Sequence, residues 1–236
     1  MGKKINLLIV GGSRGIGLAL VDEALTERKQ VTVVARKETP DLKDLQVNFI
    51  NQDFNDISLI RPLLTNIQPD LLILCVAQGL CGNLLEFSDA QISQCIQASY
   101  TSTIFWIKEA IKTLPDNSKI GWISSLTAKV PSHSWSYYAS SKAGVAHFIE
   151  CVREPAMSRG ISITVCYPGC VATDFHRYAG TQIPQGAIQP SDIAKDLLQA
   201  VENRLEVWAS CLDKDVIETA YKFDKTYRDT FRDSLK

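Results

Sequence analysis

The sequence predicts a single-domain, doubly wound α/β fold, a mostly or wholly parallel sheet with helices on both faces. Three observations point there. Short β-rich runs alternate with helix-period runs from end to end, which implies parallel pairing through right-handed crossovers. Residues 71–76 are almost wholly apolar, as a strand buried on both faces should be. No linker, internal repeat or low-complexity stretch divides the 236 residues, so residues 1–236 read as one domain.

Taken in order, residues 5–10 form a short apolar strand that stops at Gly11 and Gly12. Ile16, Leu20, Ala24 and Leu25 then recur at helical spacing. Residues 31–35 and 47–50 read as the second and third strands, and Ile60, Leu63, Leu64 and Ile67 mark a helix that Pro69 closes. After the strand at 71–76 comes a long helix at 89–114. A strand at 120–124, a helix at 138–153 and a strand at 161–167 follow. Pro155 is expected to kink or end that helix. Ser191 is the expected N-cap of a helix through Leu198, and residues 205–209 form a weaker last strand.

Composition narrows the classes. With 45 % hydrophobic residues the chain can bury a large core, and a net charge of -1 gives no general attraction to nucleic acid or anionic membranes. No apolar run approaches the roughly 18 residues that span a bilayer. The first strand begins too early for a signal peptide, and Asn6 stands where a myristoylation signal wants Ser or Thr. The expectation is a cytoplasmic protein with neither nucleic-acid nor membrane partners. The seven cysteines include no CxxC pair and read as small buried thiols in a reducing compartment. The three histidines offer them no zinc-like cluster, so no metal is expected.

In a sheet of this type ligands bind beyond the carboxyl ends of the strands. Gly11-Gly12-Ser13-Arg14-Gly15-Ile16-Gly17 lies there, between the first strand and first helix. Glycines let the backbone turn sharply and approach a pyrophosphate, and the helix start offers free N–H groups and a partial positive charge. Gly11, Ser13, Arg14, Gly15, Ile16 and Gly17 are therefore candidate cofactor contacts in a Rossmann fold, spaced GxxxGxG rather than GxGxxG. The second strand ends Ala35-Arg36-Lys37, with no carboxylate to accept a ribose 2′-hydroxyl. Arg36 can instead form a fork with a 2′-phosphate, with Arg14 closing from the other side, so the cofactor reads as NADP(H). Asp53, just after the third strand, is either an acceptor for the adenine amino group or a turn carboxylate.

Tyr138 and Lys142 stand four residues apart, on one helix face. A nearby ammonium favours the phenolate, so Lys142 is expected to lower the Tyr138 pKa and fit the phenol for proton transfer. Ser125, at the end of the fifth strand, can emerge at the same sheet edge and hydrogen-bond a substrate oxygen beside Tyr138.

With the glycine turn, these residues closely resemble the short-chain dehydrogenase/reductase family, across nearly the whole chain from Ile5 to about Ala209. That resemblance implies a Ser125, Tyr138 and Lys142 set that reduces carbonyls or oxidises alcohols with a nicotinamide cofactor. It also implies that Lys142 holds the nicotinamide ribose. Tyr167-Pro168-Gly169-Cys170-Val171-Ala172-Thr173 looks like the family's PGxVxT segment, implying that Pro168, Gly169, Val171 and Thr173 meet the nicotinamide. Departures are equally legible. Val10 replaces a threonine, and Leu74-Cys75-Val76-Ala77 replaces an NNAG-like segment whose backbone, at Ala77, still lines the adenosine pocket by resemblance. Ser99 falls where the family has its fourth catalytic residue, an asparagine.

By the same resemblance residues 175–189 form a substrate-covering lid, with Gly180, Pro184 and Gly186 suited to movement. His133, Ser134 and Trp135 either line the pocket or merely pack. Residues 210–236 read as a C-terminal helical extension, docked on its own domain or on a partner. Family members commonly form dimers or tetramers through the long helices, which implies a homodimer or homotetramer. The expected function is an NADPH-dependent oxidoreductase that transfers hydride between NADP(H) and a small carbonyl or alcohol substrate, with Tyr138 as acid/base. The alternative is an NADP(H)-binding regulator or scaffold with little turnover.

Overall fold

In the computed structural model, which describes residues 4–210, the apolar runs form seven strands. They are β1 (Asn6–Val10), β2 (Gln30–Ala35), β3 (Asn48–Asn51), β4 (Leu71–Leu74), β5 (Lys119–Ile123), β6 (Ser162–Tyr167) and β7 (Val207–Ala209). All pair in parallel, in the order β3-β2-β1-β4-β5-β6-β7. The helices are α1 (Gly15–Thr26), α2 (Pro40–Lys43), α3 (Ile60–Ile67), α4 (Asp89–Ile96), α5 (Ser102–Thr113), α6 (Ser136–Met157), α7 (Phe175–Tyr178) and α8 (Pro190–Glu202).

Strand alternation divides the core. Leu7 and Ile9 of β1 face a layer with Leu20, Val21, Leu197 and Leu198 from α1 and α8. Leu8 and Val10 face the opposite layer, with Trp106, Ile107, Val145 and Ile149 from α5 and α6. All four β1 residues are fully buried. The strand order reverses between β1 and β4, which opens a crevice at their carboxyl ends. The fold class is the one the sequence predicts.

Local details differ. β4 ends at Leu74, although the Cys75 N–H still donates to the Val10 carbonyl at 2.8 Å. The helix expected at 89–114 is two α-helices joined by a wider π turn at Gln97–Thr101. α8 is capped by Gln189, not Ser191, because Pro190 takes the first helical position, where a proline loses nothing by lacking an N–H. α6 starts before Tyr138 and runs through Pro155 to Met157; the proline falls in the last turn, where its missing N–H deprives the Cys151 carbonyl of a helical donor and the helix ends two residues on. Of the six described cysteines, all free, only Cys95 and Cys166 are buried and Cys151 and Cys170 are exposed, so the uniform reading of buried thiols does not hold. No helix among the described residues is long and apolar enough to cross a membrane, and no group of three or more potential metal ligands occurs among them. The proposed C-terminal extension lies outside the described residues.

Candidate active site

The turn between β1 and α1 brings backbone against backbone. Gly11 and Gly15 adopt positive φ, +88° and +57°. A Cβ on Gly17 would lie 2.2 Å from the Gly11 carbonyl oxygen, so side-chain-free packing is required there. Arg14 caps α1 in extended conformation with no side-chain hydrogen bond, and the first turn carries no acidic residue. The helix start therefore keeps its positive end for a ligand, and the cradle fits a pyrophosphate. The Ser13 carbonyl accepts a bond from the Thr39 hydroxyl at 2.9 Å, tying the turn to the segment after β2. Ile16 packs on the α1–α8 core. Arg36 is exposed just beyond β2, and its carbonyl accepts from the Asn51 amide at 2.9 Å. Asp53 is exposed and its Oδ1 accepts the Asn55 N–H at 2.9 Å, the turn role that the sequence left open.

The segment after β6 crosses this turn. A Cβ at Gly15 would come within 3.1 Å of the Thr173 methyl. The Pro168 carbonyl accepts the Leu126 N–H, and the Gly169 N–H donates to the Ser210 hydroxyl at 2.9 Å. Buried Val171 forms a bridge with Ile188, which closes the base of the loop carrying α7. At the tip, the Cys81 N–H donates to the Ala179 carbonyl. Phe175 lies against Gly79 so closely that a Cβ there would meet its ring at 2.6 Å. The residues predicted as a lid are thus seated on the segment after β4.

Under this loop sits Tyr138, 7 % exposed, with Trp135 and Phe175 ring centroids 5.5 and 5.3 Å from its own. Ser125 hydrogen-bonds the Tyr138 phenol, and its Oγ also accepts from the Thr127 N–H and hydroxyl. Tyr137 instead points its hydroxyl to the Leu84 carbonyl at 3.3 Å, and Ser124 is buried beneath the edge. Lys142 is 1 % exposed; its Nζ donates to the Ile123 carbonyl at 2.6 Å and lies 5.7 Å from the Tyr138 ring centroid. Tyr138, Lys142 and Ser125 therefore meet at one sheet edge.

Their electrostatics correct the sequence expectation. Burial pushes the Tyr138 phenol above its ordinary range, and the Ser125 hydrogen bond offsets only part of this. The Lys142 ammonium, expected to acidify the phenol, is turned to the Ile123 carbonyl, and the net shift of Tyr138 is upward. Burial lowers Lys142 itself to about 7. At neutral pH the phenol is therefore uncharged and Lys142 close to half-charged.

A short chain dehydrogenase family model matches residues 6–183. The chain belongs to the short chain dehydrogenase family. It is 23 % identical over 230 residues to a PIGF/3-ketodihydrosphingosine reductase fusion protein of Schizosaccharomyces pombe, covering 89 % of this chain and 46 % of that one. It is 23 % identical over 188 residues to the 3-oxoacyl-[acyl-carrier-protein] reductase MabA of Mycobacterium bovis, covering 78 % and 76 %. A short-chain dehydrogenase from Sphingobium yanoikuyae, solved in complex with NADPH, superposes with a TM-score of 0.84 at 17 % identity, covering 96 % of this chain and 95 % of that one. The chain spans about half the length of the first curated relatives it matches.

Two features of the site escaped the sequence reading. Ser99, fully buried in the π turn, accepts the Gln78 N–H at 3.1 Å and donates to the Gln78 carbonyl at 3.0 Å. It clamps the segment that follows Ala77, which is itself packed beside Tyr138. Trp122 places its ring 4.8 Å from the Lys142 Nζ. An indole one residue before the strand end, next to the Ile123 carbonyl that Lys142 uses, was visible in the sequence but carried no periodic signal.

Proposed function

We propose that this chain is an NADP(H)-dependent oxidoreductase that moves hydride between the cofactor and a carbonyl or alcohol substrate, with Tyr138 as acid/base. The observation that carries this reading is the meeting of Tyr138 and Ser125 at the sheet edge between the glycine cradle and α7. The α1 start and Gly11, Ser13, Gly15, Ile16 and Gly17 hold the pyrophosphate, Arg14 and Arg36 the 2′-phosphate, and Ala77 the adenosine. Asp53 accepts from the adenine amino group through Oδ2, while its Oδ1 takes the Asn55 N–H. Lys142 holds the ribose, and Pro168, Gly169, Val171 and Thr173 the nicotinamide. When bound, the nicotinamide supplies or accepts the hydride. Ser125 and Tyr138 hydrogen-bond the substrate oxygen, and Tyr138 gives the proton as the alkoxide forms. At neutral pH the phenol carries its proton, the form that can donate to a developing alkoxide. Ser99 acts by positioning Gln78 rather than as a proton relay.

The surroundings of Tyr138 suit an uncharged substrate body: Leu80, Phe87, Ile92, Trp135 and Phe175 are apolar. Relatives named as 3-ketodihydrosphingosine and 3-oxoacyl reductases direct the first assays to 3-oxo compounds with apolar chains. We place the enzyme in the cytoplasm. An apolar groove of about 370 Å³ between α5 and α6, lined by Ile104, Phe105, Ile111, Phe148 and Val152, supports a homodimer or homotetramer through those helices.

The test is NADPH oxidation by the purified chain against 3-oxoacyl thioesters, 3-keto sphingoid bases, ketones, aldehydes and quinones, run beside Tyr138→Phe. Tyrosine-dependent turnover supports the enzyme. Tight NADPH binding without turnover on the whole panel would replace it with the regulator.

A further inference from the structure

Trp122 is fully buried in β5, yet its indole Nε1 has no hydrogen-bond partner among the described residues. An apolar side chain would fill that place on the strand without burying an orphan donor, so packing alone does not account for the indole. What the indole adds is its face. The Lys142 ammonium lies 4.8 Å from the ring centroid and donates to the carbonyl of the next residue, Ile123, at 2.6 Å. Among the described residues, the titratable groups that influence this buried cation are the Cys75 thiol, after β4, and the Cys95 thiol of α4. Tyr138, on its own helix, presents its ring at 5.7 Å. A lysine in such surroundings needs another source of stabilisation to stay charged and in place.

We propose that Trp122 is a positioning residue for Lys142: its ring face and the Ile123 carbonyl together seat the ammonium one helical turn from Tyr138. This rests on the reading of Lys142 and Tyr138 given above for its consequence in turnover, but not for its direct test. A cation is attracted to the negative face of an aromatic ring, most strongly for indole and away from water. The interaction exists only for the charged amine, so it raises the lysine's titration midpoint relative to what burial alone would set.

The experiment uses the full-length protein labelled with lysine carrying ¹³Cε, with the Lys142 signal assigned by its loss in Lys142→Arg. Trp122→Leu removes the π face, and Trp122→Phe keeps a smaller one. Leucine is expected to lower the Lys142 midpoint by about half to one and a half pH units, and phenylalanine by less. Should Trp122→Leu fail to fold, Trp122→Met takes its place, with the same expectation. Midpoints equal to wild type in folded variants of both kinds overturn the proposal. The pH profile of turnover is then measured. A limb that moves with the midpoint, with KM unchanged, extends the proposal to catalysis. A midpoint that moves while the profile stays fixed supports the seating of Lys142 and counts instead against Lys142 as a partner in the reaction.

Discussion

The Arg14 guanidinium lies over the Tyr178 ring, 5.1 Å from its centroid, and so joins the glycine turn to α7. Arg177 lies over the same ring at 4.9 Å and donates to its hydroxyl. Tyr178→Ala removes this latch. NADPH release, followed by stopped-flow fluorescence, should quicken about two- to fivefold, as expected for an exposed cation–π contact. Tyr178→Phe keeps the ring and should release at the wild-type rate; equal rates in all three proteins would refute the latch.

Arg36 stands at the end of β2 where a carboxylate would select the bare ribose. Arg36→Asp repels a 2′-phosphate and offers an acceptor to a 2′-hydroxyl. Dissociation constants for NADPH and NADH should change order in this variant. NADPH affinity that matches wild type would remove Arg36 from the cofactor assignment.

Tyr138→Phe deletes one hydroxyl from a packed ring and leaves the Trp135 and Phe175 contacts in place. The expected loss is about 10²- to 10⁴-fold in kcat, with NADPH affinity within about twofold of wild type. Equal kcat values would rule out the phenol as the proton donor.

Gly17→Ala places a methyl 2.2 Å from the Gly11 carbonyl oxygen, backbone that cannot move aside as a side-chain tip would. The turn must open and the start of α1 must shift. NADPH binding, read by calorimetry, should fall by about 100-fold or more, with thermal stability lowered as well. Wild-type affinity would show that the cradle tolerates the displacement.

Lys142 titrates near 7 when folded, below its ordinary 10.5, so between those values the unfolded chain holds a proton that the folded chain lacks. Stability therefore rises with pH through that window at about 1.4 kcal/mol per unit, and the burial cost is fully present below about pH 7. Lys142→Met should melt higher than wild type at pH 6, with the advantage shrinking towards pH 10. Parallel Tm curves for the two proteins would exclude a depressed lysine.

By itself the sequence determined the layer plan and the places to search. Short β-rich apolar runs alternating with runs of period 3.6 set the strands and helices, and Gly11, Gly15 and Gly17 mark a turn whose geometry only glycine permits. The four-residue spacing of Tyr138 and Lys142 puts them on one face because helix geometry is local. Other features depend on neighbours distant in the chain. Whether Lys142 acidifies Tyr138 turns on where the ammonium points, and the Ile123 carbonyl and Trp122 ring that direct it arrive on another element. Ser99, in the π turn, meets the Gln78 backbone, which lies 21 residues away in the chain. Burial itself is a property of the assembled core, and desolvation is what raises Tyr138 and lowers Lys142. Local spacing can bring two groups to one face, but only the folded surroundings decide which of them keeps its charge.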